Sequence, residues 1–289
     1  MNSNTNIMKR ILVPTDFSPE AKNALEIAIE MAKTFDGEVI LLNVVDVAGQ
    51  GDFSASGAAV GSGAMDSIFT MKLIEKMKAD MEEAIAEHEG APISTELAMG
   101  DLHEMINERV ERDEIDLVVI GSKGASGLQE VMVGSNAEKV VRLAACPVLT
   151  VKESSRDIHP NNIVFASDFT EELDKVGKRL VEFQKHYDAT MHLLFVNTPN
   201  KFELSSESNR RMHDFAARLG IENYTVNVYN HRDEEDGILG FAEENNHDLI
   251  AVATHSRKGL AHLLSGSISE GVVNHSSKPV LSFSIRYLK

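Results

Sequence analysis

"ILVPTDFSPEAKNALEIAIEMAKTF" (Ile11–Phe35) and "IVFASDFTEELDKVGKRLVEFQKHY" (Ile163–Tyr187) decide the fold, because they state one pattern twice. Each is a short apolar run, then Asp-Phe, then Ser or Thr, then apolar residues at helical spacing. Ser18 or Thr170 can cap the first amides of a helix, and Pro19 or Glu171 suits its first turn. One helical face carries Ala21, Leu25, Ala28, Ala32 and Phe35; the other carries Leu173, Val176, Leu180, Phe183 and Tyr187.

The echo continues along the chain. "EVILLNVVD" (Glu38–Asp46) matches "TMHLLFVNT" (Thr190–Thr198), "EIDLVVIGSKG" matches "NHDLIAVATHS", and "CPVLTVK" matches "KPVLSFS". Asp16 and Asp168 are 152 residues apart, Gly134 and Gly266 only 132, so the second copy is 20 residues shorter in its middle. The unmatched stretch of the first copy, "DVAGQGDFSASGAAVGSGAMDS", is rich in Gly, Ser and Ala and reads as a mobile loop over 47–65.

Short continuous apolar runs alternating with helical patterns imply parallel sheets covered on both faces. Strands are expected near 10–14, 38–45, 93–99, 116–121 and 147–152, with helices near 19–35, 66–89, 102–113 and 135–144. The second copy has strands near 162–166, 190–196, 224–229, 248–253 and 279–284, and helices near 171–187, 203–219, 234–245 and 267–275. The chain reads as two tandem doubly wound α/β domains, 1–153 and 160–289, divided in the polar "ESSRDIHPNN" (Glu153–Asn162).

Composition narrows the partners. A formal charge of −17 repels nucleic-acid phosphate and anionic membrane, so neither is expected. A small anion remains admissible where backbone amides at a helix start can hold it. The single cysteine, Cys146, excludes an intramolecular disulfide and reads as a small buried hydrophobe. No run approaches the length of a membrane span, and "MNSNTNIMKRILVPTD" does not read as a signal peptide, so a cytoplasmic location is expected.

The stretch most suggestive of a ligand is "GSKGASGLQEVMVGS" (Gly121–Ser135). It is not a Walker A loop, a dinucleotide fingerprint or a nucleophile elbow, and the chain has no zinc-spaced Cys and His. What remains is Gly121-x-x-Gly124, nine residues, then Gly134-Ser135. The first pair follows a strand, where open α/β sheets bind ligands. Gly124 lets backbone approach a ligand, Gly134 and Ser135 open a helix whose amides favour phosphate, and Lys123 adds positive charge. Gly127 is assigned only a turn. Asp16 can either cap the turn after the first strand or contact a ligand, and Val44 by itself reads as core.

Gly-x-x-Gly-x9-Gly-Ser, with "PTDFS" at the first strand and "PVLTVK" at the last, resembles the universal stress protein family over nearly the whole chain, as two copies. The resemblance implies a five-stranded parallel sheet in each domain, in the order 3-2-1-4-5, of the adenine-nucleotide-binding type. It implies ATP, or ADP or AMP, in the first domain, with Mg²⁺ able to assist. Asp16 and Val44 would meet the adenine end, and Pro14, Met99 and Gly100 would line the crevice. Gly121, Gly124, Gly134 and Ser135 would cradle ribose and phosphates, and Asn136 would give its backbone amide, while Lys123 reads as a solvated side chain that helps electrostatically. It also implies an antiparallel join of the two last strands, Val148–Val151 with Val280–Phe283, making an internal pseudo-dimer and leaving a further homodimer open.

The second copy departs from the pattern in "ATHSRKGLAHLLSGS" (Ala253–Ser267). Ala253 and Ser256 replace the first two glycines and Arg232 replaces Gly100, while Asp168, Val196, Gly266 and Ser267 are kept. Weak or absent ATP binding is expected there. That a twin folds without these glycines suggests that folding does not demand Gly121 and Gly124. Nine of the eleven histidines lie in or just before the second copy, at spacings that match no metal signature, and are assigned scattered surface and packing roles. A regulatory nucleotide-binding protein is the first reading. A slow ATPase using Ser135, Lys123 and Asp16, and a nucleotide-free interaction module, are the rivals.

Overall fold

The computed structural model describes residues 8–45, 63–122, 134–152, 158–169, 173–254 and 265–285. The first repeat runs β1 (Arg10–Pro14), α1 (Pro19–Phe35), β2 (Glu38–Val45), α2 (Gly63–Glu87), β3 (Ile93–Met99), α3 (Leu102–Arg112), β4 (Leu117–Gly121), α4 (Ser135–Leu143) and β5 (Val148–Val151). The second runs β6 (Asn162–Ala166), α5 (Asp174–Tyr187), β7 (Thr190–Asn197), α6 (Ser205–Leu219), β8 (Tyr224–Asn230), α7 (Glu234–Glu244), β9 (Leu249–Thr254), α8 (Ser265–His275) and β10 (Val280–Ser284).

All ten strands form one sheet in the order β3-β2-β1-β4-β5-β10-β9-β6-β7-β8. Each half is parallel and has the expected 3-2-1-4-5 order, and the halves meet where β5 and β10 pair antiparallel. The join matches Val280, Leu281 and Ser282 with Thr150, Leu149 and Val148. The Ser282 hydroxyl donates to the Val148 carbonyl across it at 3.1 Å.

Strand alternation sends side chains to two cores, one on each face of the sheet. Ile11 and Val13 join α1 and α5 in one, while Leu12 and Val118 join α4, α7 and α8 in the other. Both cores run through both repeats. At the first, Phe35 of α1 stacks on His186 of α5 with centroids 3.8 Å apart and meets Phe183 at 6.5 Å. Cys146 lies in the second core, where burial foremost, then the charge of Asp116, push its thiol up to about 12. It is therefore not a nucleophile near neutral pH.

Helix starts follow their local chemistry. The Ser18 hydroxyl accepts from the Ala21 amide at 3.3 Å, and Pro19 occupies the first turn of α1. Its counterpart differs: α5 begins at Asp174, behind Leu173, which makes no side-chain cap. Thr170, the expected cap, and Glu171, expected in the first turn, lie outside the described residues. So does most of the expected 47–65 loop, although 63–65 belong to the start of α2. A short 3₁₀ turn, Pro199–Lys201, follows β7 and was not expected.

The repeats agree even in strained backbone. Positive φ at a side-chain-bearing residue occurs at Phe17 and Phe169, Asp36 and Asp188, and Glu114 and Asn246, each pair at matching places. For Phe17, φ is 61°. Such angles are uncommon away from glycine, so their repetition shows that the turns themselves are part of the fold.

Candidate functional site

In the first repeat, β1 and β4 lie side by side while their chain connections leave in opposite directions across the sheet, which makes a crevice at their carboxyl ends. Pro14 ends β1, Val44 lies at the end of β2, Met99 ends β3 and Gly121 ends β4. Gly134, Ser135 and Asn136 open α4 at the same edge of the sheet. Lys123 and Gly124 lie outside the described residues.

The turn after β1 carries Asp16. Thr15 is held from two sides: its amide donates to the Leu42 carbonyl at 2.8 Å, and its carbonyl accepts from the Asn43 side-chain amide at 2.8 Å. The Phe17 amide donates to the Thr15 hydroxyl at 3.0 Å, and the Ser18 amide to the Asp16 carboxylate at 3.0 Å. Asp16 thus supports the turn, and its carboxylate lies exposed. Val44 is half-buried and packs against the second core, so both of its readings keep a basis. Met99 is 47% exposed.

The start of α4 lies at this edge behind a cap that has no side chain. Gly134 is its N-cap and supplies no side-chain oxygen, and the Gly134 amide is spent on the Ser122 carbonyl at 2.9 Å. The first amides of a helix have no acceptor within it. Ser135 and Asn136 are exposed there, with the positive end of the dipole behind them.

Two glycines have structural causes. Gly100 has φ 140°, which side-chain-bearing residues rarely adopt, and its amide donates to the Val45 carbonyl at 3.0 Å. Arg232, its counterpart, shows no such angle, so the turns after β3 and β8 differ. Gly121 corrects the argument drawn from the second copy. A Cβ built there would lie 2.8 Å from both the backbone carbon and oxygen of Glu20, in the first turn of α1. Close packing of α1 on β4 therefore demands this glycine whether or not a ligand is bound. The twin keeps Ala253 at this place, and α5 begins later in its repeat than α1 does. Gly121→Ala is expected to destabilise the protein by ~1–3 kcal/mol, because backbone must move aside, and denaturant unfolding will measure it. Unchanged stability would show that α1 is free to shift.

Asn43 is a site-adjacent residue that the sequence reading passed over. The signal was a lone amide inside the apolar run "VILLNVV".

The second repeat has its own cleft at the matching edge, about 130 Å³, lined by Ala166, Asp168, Val196, Lys201, Glu234 and Ala253 among others. The Lys201 ammonium meets Glu234 at 2.7 Å beside it. A separate cavity of about 200 Å³ lies between α1 and α2, reaching Thr15, Phe17, Leu41 and Ala84. Among the described residues, no three His, Cys, Asp or Glu side chains gather as for a metal ion, and no helix is long and apolar enough to cross a membrane.

Comparison with known proteins agrees with this architecture. The model of the universal stress protein family matches residues 8–152 and again 160–283. A universal stress protein of Methanocaldococcus jannaschii is 36% identical over 159 residues, which cover 53% of this chain and 86% of that protein. One from Synechocystis is 23% identical over 297 residues, spanning 96% of this chain and 100% of its own length. A solved universal stress protein from Archaeoglobus fulgidus superposes with a TM-score of 0.72 at 19% identity, covering 96% of this chain and 98% of its own, which is a likeness of fold. The chain belongs to the universal stress protein family and carries two copies of its domain in tandem.

Proposed function

We propose that the first repeat, within 1–153, binds ATP or a related adenine nucleotide, and that the protein is a cytoplasmic stress-response regulator rather than a catalyst. One observation supports this above the rest: the Asp16 turn and the side-chain-free cap of α4 stand on the same crevice, at the point where the sheet's connections diverge. Asp16 and Val44 take the adenine end, with Pro14, Met99 and Gly100 lining the wall. Gly124 and Gly134 let the backbone close on ribose and phosphates, Gly121 keeps the end of β4 close against α1, and Lys123, Ser135 and the Asn136 amide meet the phosphates. Any Mg²⁺ would arrive with the nucleotide.

The second repeat, within 160–289, binds ATP weakly or not at all. Among the described residues that line its cleft, Asp168 and Glu234 stand against Lys201, and Ala253 and Ser256 replace the first two glycines of the pattern, which is unfavourable to a triphosphate. The antiparallel β5–β10 join makes the internal pseudo-dimer, and neither nucleic acid nor membrane is a partner of so acidic a chain.

Acid extraction of the purified protein, with chromatography of whatever is released, tests the reading. Calorimetric titration with ATP, ADP and AMP should give one site per chain, lost in Gly124→Leu. No released nucleotide and no heat would sink the proposal and favour an interaction module. Turnover of ATP that Gly124→Leu abolishes would favour an ATPase.

A further inference from the structure

Asn43 is 4% exposed near the end of β2. Its Nδ2 donates to the Thr15 carbonyl at 2.8 Å, while its Oδ1 is buried with no partner among the described residues. The second repeat has Phe195 at the same place, 7% exposed, where Arg211 lies over its ring. The fold therefore accepts an apolar side chain at this position. A buried acceptor left unpaired works against stability, so stability does not explain the amide.

Its effect falls on the turn that leads into the crevice. Thr15 is held at its amide by Leu42, at its carbonyl by Asn43 and at its hydroxyl by the Phe17 amide. These bonds fix the peptide before Asp16 and lead into the positive φ of Phe17. In the second repeat Ser167 donates to the Leu194 carbonyl at 3.2 Å and Phe169 repeats the angle, so the outline of the turn is kept. Phe195 has no group with which to hold the Ser167 carbonyl. The repeat whose loop keeps the ligand pattern is the one whose turn is bolted.

We propose that Asn43 is a positioning residue of the first repeat's site, locking the Thr15 carbonyl through Nδ2 and so setting Asp16 toward the adenosine part of the ligand. The inference rests on the reading of that site as a nucleotide site. Preorganisation of this kind raises affinity by removing the cost of ordering the turn on binding.

Calorimetry on the full chain tests it, with ATP and AMP as probes and Asn43→Leu as the variant. The expected result is affinity weaker by about tenfold for both nucleotides, the weight of one hydrogen bond. The denaturation midpoint should stay level, because the unpaired buried Oδ1 goes while the half-buried Thr15 carbonyl loses its donor. Asn43→Ala, which also lacks the donor, serves if the leucine does not fit, with the same expected loss of affinity. Unchanged affinity in variants of a parent that binds ATP overturns the proposal. So does an affinity loss that tracks a fall in the midpoint, since that is a structural role. A parent chain that gives no heat with either nucleotide overturns the underlying reading instead, and that is seen in the first titration.

Discussion

Phe215→Ala is expected to cost ~3–5 kcal/mol of folding stability, the range for emptying a fully buried aromatic site. Phe215 is 0% exposed on α6, with its ring centroid 5.3 Å from Phe169 and 5.8 Å from Phe165. Phe165 and Phe169 are themselves 5.6 Å apart, nearly perpendicular, and the Arg218 guanidinium lies 5.8 Å from the Phe215 centroid. Three elements thus meet on one ring: strand β6, the strained turn after it, and helix α6. Aromatic contacts of this geometry add ~0.5–1.5 kcal/mol each beyond area burial. The first repeat has Val13 where the second has Phe165, so the triple contact belongs to the second half. Urea unfolding of the full chain should show the midpoint falling at constant slope. A loss below ~1 kcal/mol would mean that α6 collapses into the space and that the cluster is not the anchor described.

Mild acid should weaken the second repeat through two histidines. His247 is 3% exposed, stacked on Phe241 at 5.1 Å, with Nδ1 buried and unpartnered among the described residues. The His192 ring lies 4.4 Å away, its nitrogens 2.9 Å from the Thr225 hydroxyl and 3.2 Å from the Asn162 side-chain oxygen. Burial holds both rings below the ordinary value of 6.5, and the charge of His247 lowers His192 further. The Ala242 and Phe241 carbonyls near the ring act to raise His247, and so does Asp248, whose carboxylate also accepts the Asn161 and Asn162 amides at 2.9 Å; Lys278 opposes them, and burial prevails.

The sign follows from linkage. With folded values below the unfolded one, the unfolded chain binds more protons in the interval between them. Stability is then full above about 6.5 and falls as pH drops toward the folded values, by at most ~1.4 kcal/mol per pH unit for each ring. The first repeat holds Ile40 and Ile115 at these two places. The double variant His192→Ile, His247→Ile should therefore flatten the difference between urea midpoints at pH 7.5 and 5.5. Asp116 and Glu270, raised by burial, work in the opposite direction at lower pH, so the comparison is with the parent chain. An identical pH dependence in both would remove the pair from the account.

Much of this was legible in the sequence because it was written twice. Short apolar runs and helical spacing located the strands and helices, and the duplicated Asp-Phe-Ser/Thr marked the turn after each first strand. What stayed hidden depends on contacts between distant residues. Nothing local to Gly121 reveals that Glu20 comes against it, and so a turn or a ligand are the readings the sequence offers, the ligand the better one for the set of glycines. Nothing in "TDFS" shows that a bulky phenylalanine takes positive φ. His192 and His247 read as scattered until the sheet brought their rings together. Arg109, inside the helical pattern near 102–113, is 6% exposed and paired with Glu96 of the neighbouring strand.

The antiparallel join of β5 to β10 has a last consequence. Where two identical chains make such a contact, dilution can part them, and every substitution is made in both partners at once. Within one polypeptide the contact is intramolecular, held at the effective concentration that the connecting segment sets. Dissociation ceases to be a hazard, and the obligation of sameness is lifted. One half can keep its amide-bolted turn and glycine loop while the other gathers phenylalanines and histidines, each diverging under the shelter of a partner that cannot leave.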